Sequence, residues 1–145
     1  MPFVSVTRLH LASLFSFPVF FYYALASGRQ ASRSAGFRGG WLSRDAESGF
    51  WTVTVWDSPE AMRGFRNSGI HMRAMPKLLR WCDEASYAHF EQPEDTVPDG
   101  AVAYERLRQD GKISKVVKPS LQQQRGATVG KTTPPRGQIL KPRAG

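Results

Sequence analysis

One segment limits the fold more than any other, because it carries large side chains on both of its faces. Residues 50–56 alternate between Phe, Thr and Trp on one face and Trp and Val on the other. An alternation with a period of two is typical of a β-strand, whose successive side chains point to opposite faces. Since both faces carry bulky groups, we expect this strand to be central in a sheet that is covered on both sides.

Three more strands and two helical blocks accompany this strand. The strands are predicted at 3–11, 37–44 and 85–90, and the helical blocks at about 17–28 and 58–82, the second in two pieces. The order β-α-β-β-α-β is that of an α+β, ferredoxin-like fold. Both helices of such a fold lie on one face of the antiparallel sheet. We therefore expect the other face to be open and to pair with a partner, most simply a second copy.

Charge is distributed unevenly along the chain. The formal net charge is +8, yet residues 1–110 hold twelve bases and twelve acids, whereas residues 111–145 hold eight bases and no acid. The last stretch is rich in Pro, Gly and Gln and has few large apolar side chains, so it cannot bury enough surface to fold alone. The predicted organisation is a ferredoxin-like α+β barrel domain at 1–92, an acidic linker with a short helix at 93–118, and a basic extended C-terminal tail at 119–145.

The cations of the C-terminal part predict a binding segment for an acidic partner. A solvated ribbon of spaced positive charges can wrap such a partner and become ordered on binding. An acidic protein assembly is favoured over RNA, because residues 111–145 contain no aromatic side chain for base stacking. The predicted contact residues are Lys112, Lys115, Lys118, Arg125, Lys131, Arg136, Lys141 and Arg143.

The most apolar stretch does not have the length of a membrane span. It covers residues 11–26, is interrupted by Pro18, and is shorter than the roughly 20 residues that a bilayer requires. A strand-like segment precedes it instead of the basic region of a signal peptide. We therefore expect a cytoplasmic protein with no membrane span.

Four blocks of sequence resemble a known family. They lie at 49–57 (GFWTVTVWD), 61–65 (AMRGF), 68–76 (SGIHMRAMP) and 81–85 (WCDEA). Together they resemble a bacterial and cyanobacterial family of uncharacterised dimeric α/β-barrel proteins, similar in fold to the antibiotic-biosynthesis monooxygenases and related to spheroidene monooxygenase-like proteins. The resemblance covers about residues 3–92 and implies two subunits that pack sheet against sheet into a barrel.

The haem-degrading members of this superfamily use an Asn, a Trp and a His. By register, the resemblance places these positions at Thr7, Phe65 and Met75. None of the three supplies the amide, the indole N–H or the imidazole. The resemblance therefore disfavours haem degradation.

Histidines are the strongest candidates for chemistry. His71 lies at the junction of two helical pieces, where an imidazole can act as a general base, a haem ligand or a proton shuttle. The structural alternative, which we favour, is a helix cap that bonds a free carbonyl. His89 alternates with Tyr87 on one side of the last strand, where it lines a barrel cavity or forms an interface hydrogen bond. His10 has no evident partner.

Other side chains carry weaker signals. Cys82 adjoins Asp83 and Glu84, whose negative charge opposes thiolate formation, so a nucleophile is not expected. The two carboxylates are expected to pair with the Arg-rich first part of the chain. Four tryptophans either form an aromatic ligand pocket or supply core and interface mass. They are Trp41, Trp51, Trp56 and Trp81.

The sequence is consistent with two functions. The favoured one is a non-catalytic linker subunit of a larger acidic assembly, for example a photosynthetic antenna complex, that docks through its barrel and wraps its partner with the tail. The alternative is a monooxygenase-like enzyme acting on a hydrophobic polycyclic or isoprenoid substrate. That enzyme would use His71, His89, Trp51 and Trp56. No cofactor or metal is expected, and haem enters only under the enzymatic alternative.

Overall fold

The protein is an α+β structure built on one antiparallel sheet. A computed structural model describes residues 1–129, 134–135 and 138–140. The strand order in the sheet is β5-β4-β1-β3-β2-β6. The elements are β1 (Phe3–Leu11), α1 (Phe17–Arg33), β2 (Phe37–Arg44), β3 (Gly49–Trp56), α2 (Pro59–Arg66), α3 (Gly69–Trp81), β4 (Cys82–Glu91), α4 (Gly100–Asp110), β5 (Lys112–Ile113), α5 (Leu121–Gln124) and β6 (Gln138–Leu140).

The predicted ferredoxin-like order is confirmed, and local signals explain its boundaries. Ser58 caps α2 by accepting a hydrogen bond from the Ala61 N–H, and a proline occupies the first turn. The helical block that follows β3 is divided into α2 and α3 at Asn67 and Ser68, and Pro76 is accommodated inside α3. The glycines near the start of β2 form a bulge, because the register against β3 shifts between Phe37 and Gly39.

The two faces of β3 divide as the alternation predicts. Trp51, Val53 and Val55 are fully buried on one face, whereas the even-numbered residues of the strand face α1, α2 and α3. The first face packs against Ala103 and Leu107 of α4. The strand is therefore covered on both sides within one chain.

The expectation of an open sheet face is wrong. That face is covered by α4 and by the segment that follows it, where Val129 belongs to the same buried cluster as Val4 and Val6. The short helix beyond residue 98 contributes this layer because its small and apolar side chains, Ala103 and Leu107, point at the sheet. Self-association stays a prediction, but it does not have this face available.

The expected extended tail is also corrected in its described part. Residues 114–129 lie against the sheet and contain the short helix α5. Gln123, which is buried, accepts a hydrogen bond from the Ala85 N–H at 2.7 Å and donates one to the Ser114 carbonyl at 2.8 Å. A polar side chain that satisfies a backbone group of the sheet thus anchors this segment together with the buried Val116 and Val129.

Candidate active site

A cavity of about 800 Å³ lies between the sheet and helices α1, α2 and α3. The helices touch the sheet at two separate buried clusters. One contains Leu9, Phe20 and Leu78, and the other contains Trp56 and Met62. The cavity is lined by members of both clusters, so it occupies the space that separates them. Its volume is in the range of sites that enclose a small organic ligand.

The floor of the cavity consists of two polar rows that cross the sheet. Each row is a set of directly paired residues on β4, β1 and β3, and all six line the cavity. The register of the strands decides which of these residues pair. The period of two then puts the odd positions of β1 and the even positions of β3 on the face toward the helices. The first row is Tyr87, Thr7 and Thr52, and the second is His89, Ser5 and Thr54.

The walls are apolar. Helix α1 supplies aromatic and aliphatic side chains along one side, and α3 supplies the opposite side. A hydrophobic wall over a floor with a few hydroxyl and imidazole groups is the usual composition of a ligand site. The wall residues include Phe17, Phe20, Phe21, Ala24, Leu25, Phe65, Met75, Leu78 and Leu79.

His71 lies at one end of the cavity, in the first turn of α3. Its Nδ1 is 3.2 Å from the Arg66 carbonyl oxygen, and its ring centroid is 4.5 Å from that of Phe65. Gln30 of α1 accepts a hydrogen bond from the His71 N–H at 2.9 Å, which holds the junction of α2 and α3 against α1. The expected capping of a free carbonyl is thus present, and the same ring also lines the cavity.

The protonation state of His71 follows from these contacts. A carbonyl oxygen only accepts, so Nδ1 carries the proton that is donated to Arg66. Burial lowers the pKa of His71 from its usual 6.5, and the positive charge of Arg66 lowers it further. The ring is therefore neutral near pH 7, and its Nε2 carries a lone pair.

His89 and Arg66 complete this end of the cavity. The His89 ring lies 5.1 Å from the Tyr87 ring and 5.4 Å from the Phe3 ring. Burial lowers the pKa of His89, and the charges of Arg66, Lys112 and Arg63 lower it further. Arg66 also lines the cavity, so this end combines two neutral imidazoles with a guanidinium.

Ser27 of α1 is a site residue that the sequence analysis did not identify. Its Oγ is inaccessible to solvent and has no hydrogen-bond partner among the described residues, and it faces the cavity. A buried hydroxyl without a partner is costly unless a ligand or water satisfies it. Of the polar rows of the floor, Ser5, Thr52 and Thr54 were also missed, although a signal existed, because they are polar residues in the middle of otherwise apolar strands.

Of the two alternatives for the tryptophans, the structure favours packing over an aromatic ligand pocket. Of the four tryptophans, Trp51 alone is among the residues that line the cavity, and its Nε1 donates to Asp45 at 2.7 Å on the other side of the sheet. Trp56 is fully buried beside Phe37, and its Nε1 donates to Thr54. The remaining two serve packing: Trp41 donates to the Pro98 carbonyl and Trp81 lies near Tyr23.

The acidic pair and the cysteine have structural surroundings. Glu84 accepts a hydrogen bond from Arg8 at 2.6 Å, and Asp83 lies 2.6 Å from His10 Nδ1, so the expected pairing with the first part of the chain is present. The contact also gives His10 the partner that the sequence did not reveal. Burial raises the pKa of the Cys82 thiol to about 12, with a further contribution from the charge of Asp83.

His10, Asp83 and Glu84 are the group of potential metal ligands found among the described residues, and their ligand atoms lie within 4.8 Å of one another. Both oxygens of Glu84 are already used, one by Arg8 and the other by the Ser120 hydroxyl. A guanidinium beside the carboxylate opposes a second cation. We therefore assign this group to the ion-pair network.

The positions equivalent to the haem-degrading residues do meet in the cavity. Thr7, Phe65 and Met75 all line it, as the register of the resemblance implies. They supply a hydroxyl, a phenyl ring and a thioether, so the side chains of the haem-degrading members are not reproduced. No step through haem is derived from this site.

Four of the eight predicted tail contacts lie within the described residues. Lys112, Lys115, Lys118 and Arg125 are exposed, so they stay available to a partner. The other predicted contacts lie outside the described residues. They are Lys131, Arg136, Lys141 and Arg143.

Solved structures share this fold. A protein of Mycobacterium tuberculosis is 11% identical with a TM-score of 0.59, and the match covers 65% of this chain and 97% of the other. A putative antibiotic biosynthesis monooxygenase of Nitrosomonas europaea is 10% identical with a TM-score of 0.59, and the match covers 66% and 93%. SnoaB, a cofactor-independent oxygenase of Streptomyces nogalater, is 18% identical in a mutant form with a TM-score of 0.53, and the match covers 68% and 98%.

These similarities define the class of fold. The chain has the fold of the antibiotic-biosynthesis-monooxygenase-like proteins, as the sequence resemblance predicted. No protein-family model matches the chain, and no curated protein matches it either. About a third of this chain lies outside the match, whereas almost the whole of each neighbour is covered.

The comparisons bear on the two functions and on location. At these identities the neighbours show the fold, and none of those named here supports a photosynthetic linker or a docking subunit. In the described part of the chain, none of the helices combines the length and the apolar character that crossing a membrane requires. The acidic partner of the tail and the cytoplasmic location stay predictions.

Proposed function

We propose that the protein is a monooxygenase-type enzyme that binds a hydrophobic polycyclic or isoprenoid substrate in the cavity on the helical face of the sheet. The observation that carries the proposal is the union of an apolar cavity of about 800 Å³ with a neutral imidazole and a guanidinium at one end. The fold shared with SnoaB, a cofactor-independent oxygenase, supports the reaction class.

His71 is the general base in this proposal. Its Nδ1 is occupied by the Arg66 carbonyl, so Nε2 is the nitrogen that accepts a proton from an acidic C–H or O–H group of the substrate. Because the pKa of His71 is lowered, the base is in its active form at neutral pH. Arg66 carries the positive charge that stabilises the substrate anion left after proton removal.

The substrate anion that remains after proton removal is the electron-rich species that reacts with O2 in this proposal. In the proposed reaction a CH2 group becomes a ketone, one atom of O2 enters the product, and the other leaves as water. Both atoms of O2 and all four electrons of the oxidation are thereby accounted for. The apolar walls exclude bulk water from the anion, and the Thr7, Thr52 and Ser27 hydroxyls provide hydrogen bonds that orient the substrate.

Oxygen consumption with a tricyclic probe tests this function. The probe is anthrone, which has an acidic CH2 group between two aromatic rings. We expect turnover by the native chain and a loss of about a hundredfold in His71→Gln, since general bases contribute roughly 10² to 10⁴ in rate. The matched control is His10→Gln, because His10 lies outside this cavity in the pair with Asp83 and should retain native turnover.

A pH profile separates a base from a structural residue. The rate should fall as the pH decreases through the lowered pKa of His71, below 6.5, and the acid limb should disappear in His71→Gln. Binding of anthrone, measured by fluorescence quenching, should survive in that variant. Binding without oxygen consumption by the native chain would refute the reaction, and equal turnover by both histidine variants would refute the role of His71.

A further inference from the structure

We propose that the surface formed by the turn before α1 and by the outer side of α1 docks on an anionic phospholipid membrane. A membrane-facing mouth would let the cavity take up a lipophilic molecule directly from the bilayer. The docking itself is independent of the reaction proposed above, because it concerns a surface and not the histidine end of the cavity.

The apolar patch consists of large side chains that are exposed on consecutive elements. In the 3-10 turn at Leu14–Ser16, Phe15 is 96% exposed and Leu14 is 78% exposed. Ser13 accepts a hydrogen bond from the Phe15 N–H, so the turn is capped and holds the ring away from the protein. The apolar patch is Leu14, Phe15, Val19, Phe21, Tyr22 and Leu25.

This patch reverses the usual distribution of a surface helix. The outward face of α1 should be polar in a helix that packs on a sheet, but its first half presents Phe21, Tyr22 and Leu25. Soluble surfaces rarely expose a contiguous group of this kind unless it binds something. Aromatic rings with a polar tip, such as that of Tyr22, are suited to the boundary between lipid and water.

Positive charge predominates on the two helices beside the patch, while Glu47 and Arg44 lie together near its Leu14 edge. Helices α1 and α3 contain five exposed cations and no acidic residue. The two helices adjoin at this side, since Lys77 Nζ lies 3.0 Å from the Tyr23 hydroxyl and the Tyr23 ring lies 5.3 Å from the Tyr22 ring. The five cations are Arg29, Arg33, Arg73, Lys77 and Arg80.

Charge decides between a membrane and a second copy of the chain. A two-fold interface would place the same patch of each subunit, with its five cations, against its equivalent. Like charges brought together in this way repel. An anionic bilayer offers the opposite charge beside an apolar interior, which is the combination that an apolar patch with a basic border fits.

The patch is continuous with the cavity. Phe21 and Leu25 are exposed to solvent and also line the cavity, so they form part of its rim. The Phe17 ring stacks on the Phe21 ring, with 5.7 Å between the ring centroids. Its centroid lies 5.8 Å from that of Phe50, which lines the cavity. An apolar molecule would therefore meet apolar groups from the membrane surface to the sheet.

Vesicle flotation of the full chain tests the docking. The probes are vesicles of phosphatidylcholine with about 30% phosphatidylglycerol, and vesicles of phosphatidylcholine alone. We expect binding to the first and at least about tenfold weaker binding to the second, with loss of the difference in about 0.5 M NaCl. Leu14→Ser/Phe15→Ser should weaken binding about tenfold or more, and Arg73→Gln/Lys77→Gln/Arg80→Gln should remove the preference for anionic lipid.

The matched control changes an exposed apolar residue and a cation on α4. Val102→Ser/Arg108→Gln alters the same kinds of side chain away from the patch and should bind as the native chain does. Circular dichroism verifies folding of each variant. Failure to bind anionic vesicles, or equal binding by Leu14→Ser/Phe15→Ser, would overturn the proposal. A dimer in sedimentation that depends on Phe15, without vesicle binding, would identify a second copy as the occupant instead.

Discussion

Replacement of Arg8 by Met tests how the sheet tolerates a buried charge. Arg8 is 2% exposed and donates to Asp45 at 2.8 Å and to Glu84 at 2.6 Å. Methionine retains the apolar stem and removes the guanidinium, so the substitution isolates the charge from most of the packing. The Asp45 side chain, which is fully buried, then remains as a carboxylate without its cation.

The expected loss is about 3 kcal/mol in the free energy of unfolding. Removal of one partner from a buried ion pair costs about 3–5 kcal/mol, because the other charge stays buried. The lower end of this range applies because Asp45 still accepts hydrogen bonds from Trp51 Nε1 at 2.7 Å and from the Gly49 N–H at 2.8 Å. For a domain of this size the loss corresponds to a decrease in Tm of about 10 °C.

The pH dependence distinguishes charge from packing. In the native protein, burial would raise the pKa of Asp45, but the hydrogen bonds from Arg8 and Trp51 outweigh it and lower the pKa below its usual 3.8. This carboxyl therefore stabilises the native protein above pH 3.8, and the contribution is lost as the pH falls through the lowered pKa. Without Arg8 the pKa of Asp45 rises relative to that of the native protein, because burial still raises it and the guanidinium no longer lowers it. The carboxylate is then less favourable to folding near neutral pH than it is in the native protein.

Urea denaturation at several pH values measures the difference between the two proteins. The difference in the free energy of unfolding should be largest near pH 7 and shrink at acid pH, where Asp45 of the variant becomes protonated before Asp45 of the native protein. The double variant Arg8→Met/Asp45→Asn should recover part of the loss, because it removes the unpaired charge. A loss that is the same at all pH values, or a double variant less stable than Arg8→Met, would refute the reasoning.

Three further predictions concern the sheet and its cover. Gln123→Ala removes both hydrogen bonds of a buried side chain and should cost about 2 kcal/mol, with faster proteolysis of residues 114–129; unchanged proteolysis would contradict the role of Gln123 in holding this segment against β4. Cys82, with a pKa of about 12, should resist a thiol reagent at neutral pH until the protein unfolds, and rapid native labelling would contradict its burial. Gly40→Ala should destabilise the protein, because its Cβ would lie 2.3 Å from the Val53 carbonyl oxygen. The Cβ of Gly64→Ala meets nothing within 4 Å, so this substitution should stabilise α2 by about 0.5–1 kcal/mol. Thermal unfolding should therefore give a lower Tm for the first variant and a higher Tm for the second.

Local patterns were sufficient for the order of the elements. The alternation in β3 depends on neighbouring residues alone, so the sequence predicts it directly. The face of the sheet to which each strand side chain points follows from the same period of two. This period placed Tyr87 and His89 on one face, and both line the cavity.

The cavity itself could not be predicted in this way. It exists because the helices contact the sheet at two clusters and leave the space between them, which depends on the docking of α1 and α3. The polar rows show the same limit: Ser5 and Thr54 are adjacent only through the register of β1 and β3. Ser27 becomes a site residue only when α1 closes over the sheet and removes its hydroxyl from water.

By itself, the sequence determined an α+β chain with a central two-sided strand, a neutral first part and a basic last part, because charge and periodicity are properties of the linear chain. The tertiary structure decided that α4 and Val129 cover the second face of the sheet and that residues 114–129 lie along β4, where composition had indicated an open face and an extended tail. It also decided that His71 caps a carbonyl and faces a cavity at once. Contacts between distant segments produce both outcomes, and their energies depend on burial and geometry that no local pattern contains.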